Sequence, residues 1–175
     1  MKTVIDIETT IREDGGGKLS PSPYIPENYL VSVGYKSEDD EGYICFNHNE
    51  KSADNHGKEL LKAQLDKTTL LIGHNIKFDL SWLLECGFEY DGDIYDTMIY
   101  EYIDAGGTYA DIDLSSSCRR RSLPTKSDST KQYLKDGYGF QDMPWSVVEE
   151  YGRQDVCITW DLYHKQQELL NATDT

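Results

Sequence analysis

The sequence predicts an α/β domain built on a mixed central sheet of about five strands, and three features of the chain point to it. Three strand-like segments come first, separated only by loops and turns. Short apolar strands then alternate with helical stretches. A long helical region closes the chain. Successive strands joined by turns form an antiparallel meander. Alternating helix and strand units instead place strands in parallel, with helices on the sheet faces.

The first segment organises the rest. Val4, Ile5 and Ile7 are β-branched and read as a buried strand. Side chains alternate faces along a strand, so Asp6 and Glu8 point the same way. Two carboxylates on one buried face repel each other and are costly to desolvate, which calls for a compensating cation. Hard divalent ions such as Mg²⁺ or Mn²⁺ take oxygen ligands of this kind. The same triplet recurs at Asp39 and Glu41 in a charged turn. Read alone, Asp6 and Glu8 fit a solvated strand end equally well.

The segment from Arg12 to Asn28 carries Gly15, Gly16, Gly17, Pro21, Pro23 and Pro26 and reads as a loop. Residues 30–35 and 43–46 read as the second and third strands, an antiparallel hairpin around the charged turn 36–42. Leu60, Leu61 and Leu65 lie at helical spacing within 57–65. A strand at 69–73, a helix at 75–86, a strand at 93–95 and a helix at 97–103 follow, the last with Asp96 as N-cap. Residues 106–142 show no clear pattern. Residues 144–170 read as two helices meeting near Tyr151 and Gly152.

The length of 175 residues suits a single domain spanning 1–175. No apolar run approaches a membrane span, and the acidic strand follows Lys2 directly, leaving no apolar signal segment. A cytoplasmic protein is expected. The four cysteines are scattered without a C-x-x-C pair, which argues against a zinc cluster. A formal net charge of -15 is the wrong sign for clamping duplex DNA through its phosphates. An enzyme that grips a few nucleotides through metal ions remains open.

Two further stretches matter. Asn75 and Asp79, four residues apart, share a helical face just after a strand end, and strand ends are where α/β sheets gather functional groups. The alternative is an N-cap Asn75 with Asp79 serving the helix dipole. Tyr151 and Asp155 also share a helical face. That spacing recurs at Tyr35/Asp39 and Tyr100/Asp104. The Tyr151 pair differs in setting, flanked by Val147, Val148, Val156, Ile158, Trp160 and Leu162, which suits an acid facing a pocket.

Taken in order, D-x-E on the first strand, N-x-x-x-D after an apolar strand and Y-x-x-x-D near the C-terminus resemble the DEDD superfamily of 3′–5′ exonucleases, which have a ribonuclease-H-like fold. Tyr151 looks like the DEDDy branch; the position where the histidine branch carries its base is Glu150. Asp96-Thr97-Met98 and the block 151–160 look like the proofreading domain of family A (polymerase I-like) DNA polymerases, and Pro23 to Asn28 looks like phage members. The resemblance runs from Val4 to about Tyr163. Where such a polymerase continues into its synthetic domain this chain ends, so the expectation is a stand-alone exonuclease, a partner of a separate polymerase chain, or an excised fragment. If the chain is phage-encoded, its location is the host cytoplasm.

The resemblance implies that Asp6, Glu8, Asp79 and Asp155 bind two Mg²⁺ or Mn²⁺ ions. It further implies that Tyr151 orients the attacking water, and that nucleoside 5′-monophosphates leave the 3′ end of single-stranded DNA. Proofreading is the implied role, with a replication protein as possible partner. Thr9, Thr10 and Asn75 lie where the family holds the last nucleotide. Arg119, Arg120 and Arg121 with Lys126 and Lys131 are candidates for tracking the strand backbone; the alternative is a solvated loop that offsets the acidic surface. An RNA-trimming enzyme of the same superfamily and a catalytically idle docking module are the rival readings.

Overall fold

The computed structural model describes residues 1–108, 111–126 and 129–173. The first half of the chain holds β1 (Lys2–Thr9), β2 (Arg12–Glu13), β3 (Leu19–Ser20), β4 (Leu30–Ser37), β5 (Glu41–Cys45), α1 (Gly57–Lys67), β6 (Leu70–Gly73) and α2 (Ile76–Glu85). The second half holds β7 (Asp93–Asp96), α3 (Thr97–Asp104), α4 (Leu114–Arg120), α5 (Lys131–Lys135) and α6 (Trp145–Thr173). Five strands form one mixed sheet in the order β5-β4-β1-β6-β7. The meander is present: β4 runs antiparallel to β1 and β5 antiparallel to β4. β6 and β7 continue the sheet in parallel on the other side of β1. This mixed sheet with flanking helices is the ribonuclease-H-like arrangement expected of the chain.

The period of two along β1 separates two jobs. Ile5 and Ile7 face one side and pack with Leu61 and Leu65 of α1 and with Ile76, Trp82 and Leu83 of α2. Val4 faces the other side and packs with Val156 and Tyr163 of α6 and with Ile72 of β6. Asp6 and Glu8 continue the Val4 face, so the same alternation that builds the core turns both acids toward α6.

Two expectations are corrected. The loop 12–28 contains a small β2–β3 ribbon. Its turn forms because Asp14 accepts hydrogen bonds from the backbone N–H of Gly16 and Lys18, with Gly17 left-handed at φ 79°. The closing region is one helix, with no break at Gly152. That glycine marks a close approach instead. A Cβ there would overlap the Tyr43 ring of β5, and a Cβ on Gly34 of β4 would press on Tyr43 and Val156. The Tyr43 hydroxyl donates to the Val148 carbonyl at 3.1 Å, fastening α6 to the sheet at that crossing. A mid-helix glycine costs about 1 kcal/mol against alanine, and the packing it permits offsets that cost.

Within the stretch that shows no clear pattern, α4 is fixed by one buried acid. Glu101 of α3 is fully buried and accepts from Arg120 at 2.6 Å, Arg121 at 2.9 Å and Gln166 of α6 at 2.8 Å. These bonds tie α3, α4 and α6 together. No periodicity announces them, because the partners are polar and far apart in sequence.

Candidate active site

β6 pairs with β1 only as far as Val4, opposite Ile72. Beyond that point the β6 side of β1 has no strand partner among the described residues, and Asp79 of α2 reaches the Ile7 backbone there. Asp96, at the end of β7, makes this placement possible. Its carboxylate accepts from the backbone N–H of Asn75 and Ile76 at the start of α2 and of Met98 and Ile99 at the start of α3. One aspartate therefore caps two helices. Asn75 occupies the N-cap position of α2 in a left-handed conformation, φ 69°, and its side chain makes no capping bond.

Asp6, Glu8 and Asp155 converge. One carboxylate oxygen from each lies within 4.8 Å of the other two. Glu8 and Asp155 are buried and Asp6 is half-buried. Gly34 lies opposite Asp6 on β4 and leaves the space above the strand to α6. Asp79 stands outside this close set. It is buried at the open edge of β1, where the backbone N–H of Ile7 favours its ionised form. It is near enough for Asp6 to raise its pKa, and it in turn raises that of Glu8.

Burial, and then the charge of Asp155, pushes the Asp6 carboxyl up to about 7. Burial with the neighbouring acids holds Glu8 and Asp79 well above the ordinary carboxylate range, and burial also raises Asp155. Burial followed by the charges of Asp155, Glu8 and Asp6 lifts the Tyr151 phenol far above its usual value. Raised in this direction, the Tyr151 phenol is a neutral hydrogen-bonding group at neutral pH.

The donor set fits a hard divalent cation. All the converging groups are carboxylate oxygens, the ligand type such ions prefer. Asp6 Oδ2 and Asp155 Oδ1 are buried with no hydrogen-bond partner. Buried polar atoms are ordinarily paired, so two unpaired oxygens within one acidic cluster mark a place for a cation.

The remaining candidates fall elsewhere. Thr10 is fully buried; its hydroxyl donates to Asn28 and accepts from the Tyr29 backbone N–H, fixing the chain after β1. Thr9 is buried at an irregularity in the β1–β4 register. Asn75 is exposed beside the entry of α2. The basic run does not behave as a unit. Arg120 and Arg121 turn inward to Glu101, Asp104 and the Asp111 carbonyl, because a buried carboxylate attracts a guanidinium more strongly than solvent does. Arg119 is exposed, and Lys131 opens α5 on the surface. Glu150 is exposed and accepts from Gln154 on the next turn.

Lys126 is the main departure. Expected on the strand path, it lies inside the acidic cluster. Its Nζ donates to Tyr151 Oη at 2.6 Å and to Asp155 Oδ2 at 2.7 Å, and sits 4.0 Å from the centre of the Tyr151 ring. Nothing in the spacing of the sequence signals this, since Lys126 and Tyr151 are 25 residues apart.

Comparison with known proteins agrees with this arrangement. Residues 23–171 match the polymerase-A-type family described as 3′–5′ exonuclease; Asp6 and Glu8 precede the matched span. No curated protein sequence matches the chain. Among solved structures, the apo form of a nuclease superposes with TM-score 0.69 at 18% identity, covering 99% of this chain and 74% of that one. NrnC of Brucella melitensis, bound to pGG, gives TM-score 0.64 at 19% identity, with 99% and 74% covered. The family B DNA polymerase of Pyrobaculum calidifontis gives 0.65 at 18%, with 94% of this chain but 24% of the polymerase covered. At these identities the structural likenesses establish the fold, and the family match establishes the rest: the chain belongs to the polymerase-A-type 3′–5′ exonuclease family and is a DEDD-type 3′–5′ exonuclease.

Proposed function

We propose that this exonuclease removes nucleoside 5′-monophosphates one at a time from the 3′ end of single-stranded DNA, with two Mg²⁺ or Mn²⁺ ions and with Tyr151 as a DEDDy tyrosine. The observation that carries the reading is the convergence of Asp6, Glu8 and Asp155 beside Tyr151, with two buried carboxylate oxygens left unpaired. When bound, divalent ions supply a nucleophilic hydroxide at neutral pH and neutralise charge on the leaving 3′ oxygen.

The protein's share of the chemistry follows from its own groups. Asp6, Glu8 and Asp155 would hold the cations. Asp79, set back at the strand edge, acts on them at longer range. The neutral Tyr151 phenol would orient the attacking water by hydrogen bonding. These acids without cations would repel a phosphodiester, and cations held there would invert the local sign.

DNA is favoured over RNA by the polymerase-like blocks at Asp96-Thr97-Met98 and 151–160, and proofreading, alone or beside a separate polymerase chain, is the role that suits them. A single assay tests the reading. A 5′-labelled single strand is incubated with Mg²⁺, with Mn²⁺ or with excess chelator, alongside an RNA strand of the same sequence. The expected result is a ladder that shortens from the 3′ end with either metal, faster on DNA, and none in chelator. Substantial degradation in chelator would overturn the metal mechanism. Faster RNA trimming would move the substrate assignment, and an inert protein with intact metal binding would make it a docking module.

A further inference from the structure

The Lys126 ammonium lies where a cation would be expected, yet it belongs to the chain. We propose that Lys126 is a displaceable counter-cation, which holds Asp155 and Tyr151 together in the metal-free protein and must withdraw before Asp155 can offer both of its carboxylate oxygens to divalent ions. This rests on the metal-dependent reading above and adds a residue that sets the metal affinity of the site.

The geometry is specific. Nζ lies 2.7 Å from Asp155 Oδ2 and 2.6 Å from Tyr151 Oη, with the Lys126 side chain 14% and the Asp155 side chain 9% exposed. A divalent ion bound by carboxylates approaches their oxygens to about 2.0–2.6 Å. An oxygen already held by an ammonium cannot accept it without losing that partner, and the two cations would repel each other. Asp155 Oδ1, by contrast, is buried and unpaired. Lys126 therefore satisfies half of a bidentate group and leaves the other half open.

The type of residue also matters. Arg120 and Arg121 lock Glu101 with guanidinium groups that hydrogen-bond in fixed directions. Lys126 offers one strongly hydrated charge on a flexible stem and lies between α4 and α5, in neither helix. Its withdrawal breaks no helix. It also releases the Tyr151 hydroxyl, so the step that admits metal frees the tyrosine for water. Without metal, the same contact relieves repulsion among Asp6, Glu8 and Asp155, which protects the fold of the unloaded site at the expense of metal affinity.

The test measures Mn²⁺ binding, by the signal of free Mn²⁺ in paramagnetic resonance, on the full chain as wild type, Lys126→Met, Lys126→Arg and Asp155→Asn, together with melting midpoints in chelator. Lys126→Met should bind Mn²⁺ about tenfold more tightly than wild type, equivalent to about 1.4 kcal/mol, and melt lower in chelator. Lys126→Arg should stay near wild type in both. Asp155→Asn should bind weakly. If Lys126→Met does not fold, Lys126→Gln, which keeps a donor for Tyr151 without the charge, carries the same expectation. Unchanged or weaker Mn²⁺ binding in the uncharged variants would overturn the inference while leaving the exonuclease reading intact. Absence of Mn²⁺ binding in wild type and Lys126→Met alike would overturn both.

Discussion

Asp155 and Tyr151 lie one helical turn apart on α6 and face the same acids, yet their expected contributions differ. Asp155 offers a buried, unpaired oxygen and Tyr151 a neutral phenol. Asp155→Ala should lower single-strand turnover by roughly a thousandfold or more, because it removes a cation ligand from a reaction with a very high uncatalysed barrier. Tyr151→Phe should lower it less, by about a hundredfold, the scale of a positioning hydrogen bond. Single-turnover kinetics on both variants gives the ranking, and the reverse order would mean that the roles are exchanged. Asp6 also makes stability depend on pH. Its carboxyl stands at about 7 in the fold against an ordinary 3.8. Between those values the folded chain binds more protons than the unfolded one, so stability of the metal-free protein falls as pH rises through that window. The melting midpoint in chelator should therefore be higher at pH 5 than at pH 8.

At the scale of elements, α6 and α4 carry the lessons. Gly152 lets α6 cross β4 and β5 closely enough to place Asp155 over β1. Gly152→Ala should destabilise the protein by about 1–3 kcal/mol through overpacking against Tyr43, measured by urea unfolding, and should lower turnover because the helix that shifts is the one bearing Tyr151 and Asp155. Arg121 tests a different point. Burial works against the charge on Glu101, but its bonds to Arg121, Gln166 and Arg120 keep the carboxyl below the usual range. Arg121→Ala should cost about 2–3 kcal/mol of stability, the scale of a buried charge losing a partner, and leave turnover per folded molecule unchanged. A selective loss of single-strand binding instead would restore the strand-tracking role. The sheet strands and α1 to α3 were legible in sequence because apolar spacing and Asp96 mark them. The glycine at the α6 crossing was misread as a break, since a helix interior that needs no side chain looks the same on paper as one that ends.

For the whole molecule, charge sets the terms. A net charge of -15, with three acids converging at one site and Asp79 buried nearby, ties both stability and the proposed function to cations. Mn²⁺ at 100 times its dissociation constant should stabilise the chain by about 2.7 kcal/mol through mass action, seen as a rise in melting midpoint that Asp155→Asn abolishes.

The linear sequence by itself determined the class of sheet and the common face of Asp6 and Glu8, and the order of its motifs carried the resemblance that the family match bears out. The first two are properties of local period and residue type. Only the tertiary structure decided which charges meet: that Arg120 and Arg121 turn inward to Glu101, that Asp96 caps two helices, and that Lys126 enters the acidic cluster. Electrostatic partners are chosen by distance after burial, and burial is a property of the packed chain, so no spacing along the sequence could have named them.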